Sequence, residues 1–209
     1  FQQNGYRRFL CADCLDLLYH IVYHQEANKP GDYMKKNEFY APKSNFLDGE
    51  KCFILRNPHY SRNEIAIMKN SIQKDTEREK YFGHLSGVIM FNPLSMMADR
   101  LGGADYDGDS VIVMSGLKAK KSIRSLQTKD EKDYRYPVIQ IPGLEGGETT
   151  FEYPEKVKSL YNTFNSRVGI ISNAAFGESI TIYNQEFETD DRIALYTIIN
   201  GLEIDSAKK

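Results

Sequence analysis

Hydrophobic positions change their period twice along this chain. From Phe9 to about Ala27 apolar residues recur every three or four positions, which predicts one amphipathic helix over 9–27, ending ahead of Lys29-Pro30-Gly31. Between about 36 and 115 the spacing collapses into short apolar runs bounded by turn residues. Lys51–Arg56, Ile65–Met68, Val88–Phe91 and Val111–Met114 are the predicted strands. Residues 71–82, rich in Lys and Glu, predict either a short helix or a solvated loop. After 153 the helical period returns through Val157, Leu160, Phe164, Val168, Ile171 and Ala175, and a further helix opens at Thr189-Asp190-Asp191, where acidic residues suit an N-terminus. The layout is α+β in three parts: a helical segment at 1–35, a β-rich part at 36–152 and a helical segment at 153–209.

With 209 residues, 41% of them hydrophobic, the chain is long enough to bury a core as one domain, or as one domain with a helical annex. Its formal net charge of −2 is not the footprint of a free-standing nucleic-acid binder. Lys118, Lys120, Lys121 and Arg124 form a local basic run, which reads as a solvated surface loop or as a phosphate contact. No signal-peptide pattern and no apolar stretch of membrane-spanning length is present, so a cytoplasmic protein with no membrane partner is expected. Three cysteines offer no framework of disulfide pairs. Cys11 and Cys14 form C-x-x-C, followed by His20 and His24, which raises the question of zinc. On one helix turning about 100° per residue the cysteines and histidines lie on nearly opposite faces. Packing of the cysteines on the face of Leu10, Leu17, Leu18 and Ile21 is the better reading.

The sharpest chemistry is at Asp105-Tyr106-Asp107-Gly108-Asp109, preceded by Gly102 and Gly103. In an extended or tightly turned segment residues i, i+2 and i+4 project to one side, so three carboxylates can converge. Like charges about 4 Å apart at an effective dielectric near 20 repel by roughly 4 kcal/mol per pair, a strain that a bound cation relieves. Oxygen-only ligands suit Mg²⁺ or Mn²⁺. An EF-hand calcium loop is excluded by register, because the positions that need glycine and glutamate hold Ser110 and Gly116. The bland alternative is a solvated turn. Against it stand the apolar runs on both sides, which make this a loop joining two buried segments.

Leu101-Gly102-Gly103-Ala104-Asp105-Tyr106-Asp107-Gly108-Asp109 resembles the catalytic loop of the two-barrel RNA polymerases. That family comprises the multisubunit DNA-directed enzymes, with N-A-D-F-D-G-D, and the single-chain RNA-directed enzymes of RNA silencing, with G-G-D-L-D-G-D. Leu55-Arg56-Asn57-Pro58, followed by Arg62 and Ile65, is similar to the R-x-P-T-L-H-R-x-x-I stretch of the first group and the R-N-P-x-L-H-P-G-D-I stretch of the second. A looser similarity links Gly201–Lys208 to a V-D-x-x-K-T-G stretch in the silencing enzymes.

The resemblance implies a double-psi β-barrel carrying the loop at its surface, with helices packed beside it. It also implies transfer of nucleoside triphosphates to the 3′ end of RNA by a two-metal mechanism, with Asp105, Asp107 and Asp109 as catalytic residues holding Mg²⁺, or Mn²⁺ in its place. Tyr106 occupies the variable position and is read as packing. Arg56 stands where the multisubunit enzymes contact the incoming ribose or the RNA end; a strand-end salt bridge is the other reading. Gly103 replaces the asparagine that helps sense the ribose 2′ hydroxyl. Expected partners are a template, the RNA product, nucleotides and the remainder of a polymerase with a second barrel, because Phe1 and Lys209 read as the ends of a fragment. The template is open between RNA and DNA, with a lean to the silencing lineage. The competing class is a non-catalytic β-domain whose acidic loop binds a structural cation. Only the polymerase reading requires Arg56 to share a cleft with the aspartates.

Overall fold

Six strands close into a barrel: β1 (Asn4–Ala12), β2 (Glu38–Tyr40), β3 (Lys51–Arg56), β4 (Ala66–Asn70), β5 (Val88–Phe91) and β6 (Ser110–Ser115). Around the ring they run β1-β5-β2-β4-β3-β6, with β6 returning to β1. The β1–β5 and β2–β4 pairs are parallel and the other four antiparallel. Among the described residues the barrel is accompanied by helices α1 (Cys14–Tyr23), α2 (Glu77–Phe82), α3 (Met97–Arg100), α4 (Tyr153–Phe164), α5 (Val168–Tyr183) and α6 (Asp191–Ser206). This computed structural model describes residues 4–23, 34–59, 61–72, 77–116, 121, 123, 124, 126, 127, 137–139, 152–164, 166–183 and 191–206. The protein is the α+β double-psi β-barrel that the sequence led us to expect.

Strand alternation fills the barrel. Cys52 and Ile54, Ala66 and Met68, Ile89 and Phe91, and Val111 and Val113 turn inward with Leu10, Phe39 and Phe46 and are nearly solvent-free. Burying side chains of this size contributes about 1.5–3 kcal/mol each. Part of the outward face is covered as well. Phe53 and Ile67 pack with Ile123 and Leu126, while Tyr40 and Met90 pack with Met34. Strands buried on both faces read as continuous apolar runs, which is why β3, β5 and β6 coincide with those in the sequence.

At the N-terminus the structure corrects the helix expected over 9–27. Backbone is extended through Ala12, and β1, drawn from the segment assigned to helix, closes the ring between β5 and β6. The switch is Asp13, whose N–H bonds to the Phe91 carbonyl while its carboxylate accepts the Leu15 N–H at the start of α1. Leu17, Leu18 and Ile21 share the helix face of Cys14 but are exposed, and Leu15 and Tyr19 form the buried side of α1, so the face on which the cysteines were expected to pack is not the core side. Cys11 instead packs beside Met34, Tyr40 and Met90.

Downstream of the barrel, the helical period that runs on from Val157 to Ala175 is divided between α4 and α5. α5 and α6 pack on each other antiparallel, tied by the Arg192–Glu178 ion pair at one end and the Arg167 N–H to Glu203 bond at the other. Of the looser C-terminal similarity, Gly201–Ser206 lies in α6, and the remainder lies outside the described residues. Among the described residues no helix is long and apolar enough to cross a membrane.

The helical alternative holds for the later part of 71–82, as α2, while residues 73–76 lie outside the described ones. α2 is fastened by polar contacts from three successive residues. Glu77 accepts from the Tyr19 hydroxyl, Arg78 pairs with Asp13 at 2.8 Å, and Glu79 accepts from the Tyr40 hydroxyl. Arg78 and Asp13 are almost wholly buried, so removing one partner strands a desolvated charge. Arg78→Ala is expected to destabilise the fold by about 3–5 kcal/mol. Pairing Asp13→Asn with Arg78→Met keeps the helix cap and should recover most of that loss; urea midpoints of the three proteins measure it, and equal losses would assign the cost to packing instead.

His59 lies in the β3–β4 connection, just after a cis Asn57–Pro58 bond, and burial lowers its pKa from the usual 6.5. Folding favours the neutral imidazole, so its contribution is complete above pH 6.5 and is lost as pH falls toward the folded-state value. His59→Gln is expected to flatten the decline in stability between about pH 7 and 5. Urea midpoints that fall in parallel for both proteins would exclude His59 as the cause.

Candidate active site

The acidic loop leaves the barrel at the end of β5. Asn92 turns the chain by accepting the Leu94 N–H at 2.8 Å and donating to the Met34 carbonyl at 2.6 Å. A 3-10 turn and α3 follow, and Met97, Leu101 and Ala104 then drop into the same core that the strands line. These apolar side chains anchor the loop. Gly102 and Gly103 adopt φ values of 70° and 68°, and Gly108 adopts 131°, in the region that favours glycine. Gly102 has a second constraint, since a Cβ there would lie 3.1 Å from Glu64 Oε1. On the far side the Leu10 N–H donates to the Asp109 carbonyl at 2.8 Å, fixing the loop's return to β1.

Arg56, the last residue of β3, reaches across to the loop. Its guanidinium meets Asp109 Oδ2 at 2.9 Å through Nη2 and donates from Nη1 to the Gly102 carbonyl at 3.2 Å. The same Oδ2 accepts the Asp105 N–H at 2.8 Å. One guanidinium therefore bridges both arms of the loop and meets one of the three aspartates, Asp109. It is also the ion pair that the other reading of Arg56 anticipated.

The three carboxylates are distributed differently from the alternation argument. Asp105 and Asp107 are exposed, Asp109 is half-buried, and a turn at 106–108 interrupts the extended backbone on which convergence depends. Among the described residues no three Asp, Glu, His or Cys side chains are gathered as a metal-holding group. The donor set still fits a hard cation in its chemistry, being all oxygen, and Asp109 already balances its charge against a cationic partner. Tyr106 packs only in part: it is 46% exposed, and its phenol pKa is raised by partial burial and by Cys11 and Asp99 nearby.

Two residues that sequence reasoning passed over support the loop from beneath. Glu64 is buried, accepts the Ser61 N–H at 3.0 Å and sits against Gly102. Ser61-Arg62-Asn63-Glu64 is a capping box, a pattern legible in the sequence. Arg100 donates to the Asn63 carbonyl at 3.0 Å, joining this turn to α3.

Elsewhere, the Cys11 and Cys14 sulfurs lie 3.7 Å apart, and burial together with Cys14 pushes the Cys11 thiol up to about 11. His20 is exposed and His24 lies outside the described residues. Of the basic run, Lys121 and Arg124 are exposed, while Lys118 and Lys120 lie outside the described residues.

Three comparisons bear on identity. No curated protein sequence matches the chain. Among solved structures it is similar to the RNA dependent RNA polymerase QDE-1 from Thielavia terrestris, at 15% identity and a TM-score of 0.57, over 98% of this chain and 22% of that one. At that identity the likeness speaks for the fold, and the chain spans about a fifth of that polymerase's length. The family model described as RNA dependent RNA polymerase matches residues 3–209, so the chain belongs to the RNA-dependent RNA polymerase family.

Proposed function

We propose that this chain supplies the catalytic barrel of an RNA-directed RNA polymerase, joining nucleoside triphosphates to the 3′ end of RNA. The observation that carries the reading is the acidic loop, clamped between the barrel core and Arg56, in a chain matched to the polymerase family from end to end. Asp105, Asp107 and Asp109 would hold Mg²⁺. When bound, the metal makes the 3′ hydroxyl a better nucleophile and neutralises charge on the leaving pyrophosphate.

The chain's own contribution is positioning. Met97, Leu101 and Ala104 fix the loop's base, Gly102 lets it pass close over Glu64, and exposed Asp105 and Asp107 present carboxylate oxygens at the surface where a nucleotide would approach. Partners on this reading are the template, the RNA product, nucleotides and a second barrel from the rest of the polymerase. The family description supports an RNA template, and Arg56-Asn57-Pro58 and Gly103, which resemble the single-chain lineage, support it further.

Titration of the 209-residue chain with Mn²⁺ is expected to give weaker binding for Asp107→Asn than for the parent. Equal binding would remove the loop as a metal site. In a polymerase that contains this chain, Asp107→Asn should reduce nucleotide incorporation to background, and the parent should extend primers on single-stranded RNA in preference to matched DNA at one salt concentration. A clear preference for DNA would overturn the template assignment, and incorporation of deoxynucleotides in place of ribonucleotides would overturn the reaction. The chain by itself is expected to make no RNA from nucleotides, Mg²⁺ and template. Synthesis by the isolated chain would overturn the requirement for a second barrel.

A further inference from the structure

We propose that Arg56 and a divalent cation compete for the Asp109 carboxylate, so that Arg56 sets the cation affinity of the acidic loop. The inference rests on the metal reading of that loop. Asp109 Oδ2 takes two hydrogen bonds, from Arg56 Nη2 at 2.9 Å and from the Asp105 N–H at 2.8 Å. An oxygen offers about two lone-pair sites, so a cation that takes this oxygen as a ligand must displace one of these donors. The Asp105 N–H is fixed by the turn itself. Arg56 is held by side-chain contacts and is the donor able to leave.

Charge points the same way. Arg56 is 16% and Asp109 25% exposed, so their attraction is less screened than that of a surface pair. A cation on Asp109 would meet a guanidinium at hydrogen-bonding range and repel it. Released from Asp109, the guanidinium keeps five N–H donors in a planar fork suited to phosphate oxygens, at the mouth of the same loop. Cation binding and presentation of Arg56 to a phosphate are then two sides of one exchange, and by linkage each favours the other.

The test is Mn²⁺ binding to the 209-residue chain, followed by electron paramagnetic resonance of the free ion, for the parent, Arg56→Gln, Arg56→Lys and Asp107→Asn. Arg56→Gln is expected to bind Mn²⁺ about tenfold more tightly than the parent, the scale on which one adjacent charge shifts a carboxylate site. Arg56→Lys should stay close to the parent because it keeps the charge. If Asp107→Asn weakens binding but Arg56→Gln leaves it unchanged or weakens it, the competition is wrong and the metal reading stands. If Asp107→Asn binds as the parent does, the metal reading fails and the competition with it. A second measurement is independent of variant folding: in the parent chain labelled with ¹⁵N-arginine, Mg²⁺ should shift the Arg56 Nε–H resonance. A resonance that stays in place at saturating Mg²⁺ would overturn the proposal.

Discussion

Most strands of this barrel have to bury two faces, and much of the architecture follows from that requirement; β1 departs from it, with Gly5, Arg7 and Phe9 exposed on its outward face. The strands are short, from three residues in β2 to nine in β1, so the inner faces alone enclose a small core. The inner face is closed by the strands themselves together with Leu101 and Ala104 from the acidic loop. The outer face depends on segments that arrive from elsewhere, Ile123 and Leu126 on one side and Met34 on another. The loop is therefore part of the core at its base and part of the surface at its tip. Its apolar residues set where the aspartates stand.

The same requirement explains what could be read in advance. β3, β5 and β6 are covered on both sides and carry unbroken apolar runs, a signal that needs no knowledge of partners. β1 carries Asn4, Gly5, Arg7 and Arg8, residues with little strand preference, and its conformation comes from β5 and β6. β2 is too short for any period to register. The false helix over 9–27 arose because Leu10, Cys11, Cys14 and Leu17 happen to keep a spacing of three or four across a boundary. Asp13, a helix-capping residue type placed just before an apolar run, was the local sign that the chain changes state there.

At the site, chemistry was more legible than geometry. Three aspartates in five residues announced themselves, and Arg56 was singled out by its neighbours Asn57 and Pro58. Their meeting, however, is a contact between residues 53 positions apart in the chain, and only the barrel's closure brings them together. The alternation argument assumed extended backbone, whereas the structure turns at 106–108 and, among the described residues, does not gather three carboxylates at one point. Glu64 beneath Gly102 was invisible for the same reason: a capping box is a local pattern, and what it abuts is not.

Closure also limits how another module could engage this barrel. Every strand already has a partner on both sides. Ring closure leaves no strand wholly unpaired on one side, so little free edge remains for a neighbouring module to extend by adding a strand, the commonest sequence-tolerant way for β-domains to join. Recognition has to run through side chains, loops and helix surfaces. Such contacts are specific to their partners and can be rearranged without unzipping a sheet.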